Sequence, residues 1–302
     1  MPKFLVLLAA YNGIDWIAEQ VDSILSQRGV SITLLISVDK SVDGTEDWVS
    51  ALATRDSRVT YLNFGEKFGG AARNFFRLVH ESDLADFDYF SLSDQDDIWH
   101  SDKLIRAVQT INSQRVDGYS GDVKAFWPNG RERMIVKSQP QASYDFLFEA
   151  AGPGCTYVFT RKLFADLQTH LTAHFAEIQA VTLHDWYFYA FSRANGFRWH
   201  IDNAPGMRYR QHASNQVGVN RGLKAFKSRL AKVFDGWYLN QAALIARLVG
   251  MSEQPFVRDW ISLGRIQLAV LASNSARCRR RPRDKVVFAG LCLVLALVKH
   301  KK

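Results

Sequence analysis

Apolar and polar positions alternate in blocks along roughly the first hundred residues. Short apolar runs at 4–10, 31–38, 59–62 and 89–92 read as buried strands, and amphipathic stretches at 15–27, 45–53 and 71–81 read as helices. Strand and helix in strict alternation predict βαβ units, a mostly parallel sheet and right-handed crossovers. A nucleotide is then expected beyond the carboxyl ends of the strands. Further along, 117–144 has poor periodicity, with a turn at Trp127-Pro128-Asn129-Gly130, and is expected to form an irregular hairpin or active-site flap. A strand at 156–160, a helix at 162–170, an aromatic helix at 186–191 and a strand at 207–209 follow. The clearest boundary lies near Asn220, dividing an α/β domain over 1–220 from a helical basic extension over 221–302.

Composition narrows this picture. A chain of 302 residues that is 47% hydrophobic can bury a sizeable core, so disorder is not an option. Three distant cysteines, Cys155, Cys278 and Cys292, lack any C-x-x-C pairing and give neither a disulfide framework nor a zinc site, which makes a reducing, cytoplasmic compartment the default. The opening apolar run meets Tyr11-Asn12-Gly13 and reads as a first strand, not a signal peptide.

Net charge is +8, but unevenly spread: 1–220 carry 21 Lys+Arg against 26 Asp+Glu, and 221–302 carry 17 against 4. The basic run from Arg277 to Lys285 precedes thirteen apolar residues, 286–298. Thirteen is short of the roughly twenty needed to span a bilayer. It suits a helix lying in the interface of an anionic membrane, its basic flanks on the headgroups. A core helix with a solvated basic end is the alternative. Nucleic-acid binding by the arginine run is not expected, because the acidic amino-terminal domain repels phosphate.

The strand ends carry the chemistry. Tyr11-Asn12-Gly13 follows the first strand, Asp39 ends the second, Asn63 to Gly70 follows the third, and Asp94-Gln95-Asp96-Asp97 follows the fourth. Carboxylates packed this closely raise one another's pKa unless a cation joins them. A hard divalent ion sharing a nucleotide's phosphate oxygens is one solution; an acidic turn capping a helix from Ser101 or Asp102 is the other. Asp39 can accept from a base N–H. Gly65, Gly69 and Gly70, with Lys67, Arg73 and Asn74, suggest a loop approaching an anion at a helix start. No G-x-x-x-x-G-K-[ST] occurs, which argues against a P-loop NTPase.

The segments AAYNG (9–13), SVDKSVDGT (37–45), SDQDDIW (93–99), GPGCTYVF (152–159), LHDWY (183–187) and YRQHASNQVG (209–218) together resemble the ordered motifs of inverting family 2 glycosyltransferases of the GT-A fold. The similarity is greatest to the bacterial rhamnosyltransferase-like branch and covers about residues 3–220. It implies a donor-nucleotide site at Ala10, Tyr11, Asn12, Asp39, Arg73, Asn74 and Asp94, and a Mg²⁺ or Mn²⁺ ion on Asp96 and His212. Asp185 would be the general base, with Gln95, Asp97, Trp99, Gly154, His184 and Trp186 in support or beside the sugar. Two departures stand out: Val38-Asp39-Lys40-Ser41 where the family usually has Asp-Asp-Gly-Ser, and His184 where it usually has Glu. The implied activity is transfer of a sugar, rhamnose from dTDP-rhamnose, to a lipid-linked glycan at the inner membrane face during surface polysaccharide synthesis. A noncatalytic nucleotide-sugar or glycan-binding protein is the alternative.

Overall fold

A computed structural model describes residues 1–212 and 236–298. Seven strands form the main sheet in the order β10-β6-β9-β4-β1-β2-β3. They are β1 (Lys3–Ala10), β2 (Ser31–Val38), β3 (Val59–Tyr61), β4 (Tyr89–Asp94), β6 (Gly118–Gly121), β9 (Val158–Thr160) and β10 (Trp199–Asp202). Pairing is parallel except for β9, which runs antiparallel to both β4 and β6. A second sheet, β5-β11-β7-β8, is built from β5 (Ile98–Trp99), β7 (Val123–Phe126), β8 (Glu132–Ile135) and β11 (Met207–Arg210).

Strand β1 shows why the sheet is central. Leu5, Leu7 and Ala9 point to one face, with Phe75 and Phe76 of α3 (Ala71–Glu81), while Phe4, Val6, Leu8 and Ala10 point to the other, with Ile17 of α1 (Ile17–Leu25) and Leu104 of a helix over Lys103–Gln114. Both faces are covered, so the strand reads as one unbroken apolar run. Its neighbours hold it in register, Leu7 opposite Leu35 and Leu92.

The aperiodic stretch resolves into a hairpin, β7 and β8, closed where Trp127 N–H donates to Arg131 O at 3.0 Å. Strands β6 and β10 escape a pattern reading. Gly118-Tyr119-Ser120-Gly121 is buried without being apolar, because glycine makes room for an indole: a Cβ on Gly118 would lie 2.1 Å from Trp199 Cε3.

The boundary expected near Asn220 lies outside the described residues. Beyond it, the helices Trp237–Leu248, Arg265–Ser273 and Pro282–Val298 pack through Leu239, Ala243, Leu268 and Phe288 into the same core as Phe75 and Phe188, joined by Trp260 from the connection before the second of them. The arginine run is not the uniform surface patch expected from sequence. Arg280 is fully buried, with Nη1 2.7 Å from Asp145 Oδ2 and Nη2 donating to Ala150 O at 2.6 Å. Arg279 donates to Phe148 O at 3.0 Å and to the Tyr238 hydroxyl at 2.7 Å, and Arg277 lies over the rings of Tyr144 and Phe256. Burial raises the pKa of Asp145 more than its two arginines lower it. Truncating one partner strands the other, which costs about 3–5 kcal/mol. Arg280→Ala should therefore lower stability by that order in chemical denaturation; a loss under about 1 kcal/mol would refute the fastening role.

Candidate active site

A cavity of about 720 Å³ opens over the carboxyl ends of β1, β2 and β4. Its lining includes Ala10, Tyr11, Asn12, Asp39, Asn74 and Asp94 to Asp96, together with Ile135, Lys137, Gly152 to Gly154 and Leu183 to Asp185. His212 and Trp16 also line it. The strand-end residues thus form one site, and Asp185, some ninety residues downstream of the acidic cluster, joins them.

The loop after β1 is held from two sides. Gln95 grips Tyr11 like a strand partner, its Oε1 accepting from Tyr11 N–H at 2.7 Å and its Nε2 donating to Tyr11 O at 2.9 Å. Gly13 leaves space for that amide, since a Cβ would come within 2.2 Å of Gln95 Oε1. On the other side Asn12 Oδ1 accepts from Val42 N–H at 2.9 Å, and Thr45 Oγ1 accepts from Gly13 N–H at 2.9 Å.

Asp39 braces the glycine loop, accepting from Phe68 N–H at 2.9 Å and Gly69 N–H at 3.0 Å. Asn74 donates to Ser37 O at 3.0 Å and Ala10 O at 3.3 Å, tying α3 to the ends of β1 and β2. Arg73 does not line the cavity; its guanidinium donates to Phe68 O and Gln179 O, both at 3.3 Å. Lys67 is the loop's cationic lining residue instead.

In the acidic cluster the carboxylates divide by depth. Asp97 is fully buried and accepts from Arg210 N–H at 3.0 Å. Asp94 is pushed up to about 7, first by burial and then by the charge of Asp96. Asp96 Oδ2 lies 2.7 Å from His212 Nε2, and the His212 ring stacks on Trp16 with centroids 4.1 Å apart. Beneath sits Lys103, fully desolvated and lowered to about 7 by burial, its ammonium donating to Cys155 O at 2.9 Å and lying over the Trp99 ring. Sequence reasoning missed Lys103, Cys155 and Trp16. Cys155 and Arg210 stand inside quoted motifs, whereas Lys103 and Trp16 carried no such signal.

Trp99 and Trp186 are core residues rather than sugar platforms. Trp99 is 4% exposed and packs behind the cluster, and Trp186 donates from Nε1 to Phe146 O at 3.0 Å.

Two sets of groups could hold a cation. Ligand atoms of Asp94, Asp97 and Cys155 lie within 4.8 Å of one another. Burial and the two aspartates drive the Cys155 thiol pKa up, so it stays protonated and is a poor ligand for a hard ion. Asp96 and His212 fit better. Ligands at about 2.1 Å on an octahedral ion sit roughly 3 Å apart, close to their observed separation, and both face the cavity.

Asp185, also in the cavity lining, lies in the first turn of a helix, His184–Ala194, where the dipole favours a carboxylate. Its Oδ1 accepts from Trp186 N–H at 2.8 Å. Burial nevertheless raises its pKa to about 6, against the lowering effects of that hydrogen bond and of Lys137. This is the range of a general base working near neutrality. His184 is lowered to about 3 by burial and is therefore neutral; its ring stacks on Phe75 with centroids 4.0 Å apart. Gly154 presses against both residues, since a Cβ there would lie 2.3 Å from His184 Nε2 and 3.3 Å from Asp185 Cβ.

Comparison with known proteins agrees with this architecture. The sequence model of glycosyl transferase family 2 matches residues 5–164. The chain is 38% identical over 289 residues to the dTDP-rhamnosyl transferase RfbG of Shigella flexneri, covering 95% of this chain and 99% of that one. Among solved structures it resembles TarS 1–349 of S. aureus in complex with UDP-GlcNAc, with TM-score 0.57, 13% identity, and coverage of 98% of this chain and 88% of that one. It also resembles the mannosyltransferase PcManGT from Pyrobaculum calidifontis in complex with GDP-Man and Mn²⁺, with TM-score 0.51, 17% identity, and coverage of 99% and 86%. The two departures that suggested a noncatalytic protein, at Val38/Lys40 and His184, leave the cavity's carboxylates in place. The chain belongs to glycosyl transferase family 2 and is a glycosyltransferase of the GT-A fold.

Proposed function

We propose that this enzyme transfers rhamnose from dTDP-rhamnose to a lipid-linked glycan at a membrane surface, with inversion, during synthesis of a bacterial surface polysaccharide. The observation that carries the reading is one cavity lined both by Asp185, a half-buried carboxylate of raised pKa, and by the acidic cluster at the end of β4. The donor is chosen because RfbG, named for dTDP-rhamnose, is similar along almost its entire length.

In this reading Asp39, Tyr11 and Asn12 receive the base and ribose, and Asp94 lies beside the nucleotide. Asp96 and His212 hold a Mg²⁺ or Mn²⁺ ion, which supplies charge stabilisation to the departing diphosphate. Asp185 takes the proton of the acceptor hydroxyl as that oxygen attacks the anomeric carbon, so bond making and breaking occur on opposite faces. Lys67 adds positive charge on the donor side. Asp97, Lys103 and Cys155 support the acidic wall from behind.

The carboxyl-terminal helix supports the membrane part. Phe288, Cys292 and Leu295 turn inward, whereas Val286, Val287, Leu293, Val294, Leu297 and Val298 are exposed. No helix among the described residues is long and apolar enough to cross a membrane. A contiguous apolar face flanked by exposed Arg283 suits attachment in the interfacial plane, on the cytoplasmic leaflet.

The test is purified enzyme with dTDP-rhamnose, Mn²⁺ and a lipid-linked glycan, in the presence of vesicles. Transfer and co-sedimentation with phosphatidylglycerol-containing vesicles are expected. The double variant Val294→Glu/Leu297→Glu should release the protein from vesicles while keeping turnover on a soluble acceptor. Turnover of other nucleotide sugars but not dTDP-rhamnose would refute the donor, and unchanged vesicle binding in the double variant would refute the anchor.

A further inference from the structure

We propose that Lys137 and Arg281 form a subsite for a phosphoryl group of the acceptor, placed between the base and the apolar face of the carboxyl-terminal helix. The inference rests on the lipid-linked acceptor put forward above.

Lys137 lines the cavity together with Gly152 and Asp185. Its backbone is fixed, the N–H donating to Asp122 Oδ1 at 2.6 Å, and its Cβ sits 3.9 Å from where a side chain on Gly152 would begin. Its ammonium has no hydrogen-bond or ion-pair partner among the described residues. The obvious carboxylates are engaged elsewhere: Glu149 pairs with Arg279 and Arg280, and Asp185 caps Trp186. A half-buried ammonium in a cavity lining, with no direct ion-pair partner, is a ready recipient for an incoming anion.

Arg281 stands beside it. With the Gln139 amide turned to satisfy its neighbours, its oxygen accepts from Arg281 Nε at 3.0 Å and Nη2 at 3.3 Å, two residues along the chain from Lys137. Arg281 forms no ion pair among the described residues, unlike Arg279 and Arg280. Burial lowers the Lys137 pKa, Glu149 and Asp185 oppose that, and Arg280 and Arg281 lower it further, which places Lys137 and Arg281 in one another's field. Pro282, the next residue, opens the helix with the exposed apolar face. Base, cations and apolar face thus follow the order of a lipid-linked acceptor: hydroxyl, phosphoryl, hydrocarbon. Lys and Arg are the side chains that recognise phosphoryl oxygens.

The test is calorimetric binding of decyl diphosphate to the full chain with saturating dTDP and Mn²⁺, so that the donor site is filled. Binding about tenfold or more tighter than that of decyl glucoside is expected. Lys137→Gln and Arg281→Gln should each erase about tenfold of that preference, Lys137→Arg should retain it, and dTDP affinity should not change. Displacement of the probe by dTDP, or equal binding by Lys137→Gln and wild type, would overturn the proposal. Lost binding to phosphatidylglycerol vesicles with decyl diphosphate binding intact would assign these cations to the bilayer instead, and also overturn it. None of these readouts needs turnover, so failure of dTDP-rhamnose transfer would count against the donor assignment alone.

Discussion

Asp185→Asn should lower turnover by about 10²- to 10⁴-fold while leaving donor binding intact. The amide keeps the shape and the hydrogen bond from Trp186 N–H but cannot take a proton. Because burial holds the Asp185 pKa near 6, kcat/KM of the wild type should rise with pH through about 6 and then level off. Residual activity of the variant should lack that limb. Stability should move the other way. The folded state binds this proton more tightly than the unfolded chain, whose carboxyl has the ordinary value of 3.8. Folding therefore loses stability as pH rises from about 4 to 6, by about 2–3 kcal/mol at most. Asp185→Asn should accordingly melt at a higher temperature than wild type at pH 8. A variant that turned over normally, or that melted lower at pH 8, would remove Asp185 from its role.

Asp96→Ala should cost about 10²-fold or more in turnover and shift the Mn²⁺ dependence to higher concentration. Asp96 lines the cavity, as Asp94 does, and its partner His212 supplies a nitrogen at 2.7 Å. Its carboxylate is also the leading charge that raises Asp94 after burial. The substitution should therefore also lower the Asp94 pKa. His212→Ala removes a neutral ligand and should show the metal effect without that second consequence. Full activity in excess EDTA would exclude the metal assignment.

Much of the fold was legible because its signal is local. Strand β1 is apolar on both faces, α3 begins and ends at the residues its pattern marks, and polar residues mark each strand end. β6 and β10 were not legible, since what buries Gly118 is the indole of Trp199, eighty-one residues away. The site divides the same way. Asp94, Asp96, Asp185 and His212 stand in motifs whose order is informative. Lys103 reads as an ordinary helix start, and only the fold shows its ammonium turned inward beside the carboxylates of Asp94 and Asp97. Arg279 and Arg280 are indistinguishable in sequence from Arg281 and Arg283. Their burial is decided by Asp145 and Glu149, in a stretch to which the sequence pattern assigned no element. Trp99 and Trp186 fail as sugar platforms for a similar reason, as aromatic bulk is drawn to the core unless the backbone turns it out.

The assignment of Asp185 as base in the cavity it shares with the acidic cluster is the central claim, and the anomeric configuration of the product tests it most directly. Purified enzyme, dTDP-rhamnose, Mn²⁺ and a glycan acceptor should give a glycosidic bond whose configuration, read by NMR, is opposite to that of the donor. A product retaining the donor's configuration would contradict the account, because a single base opposite the leaving group delivers one displacement only.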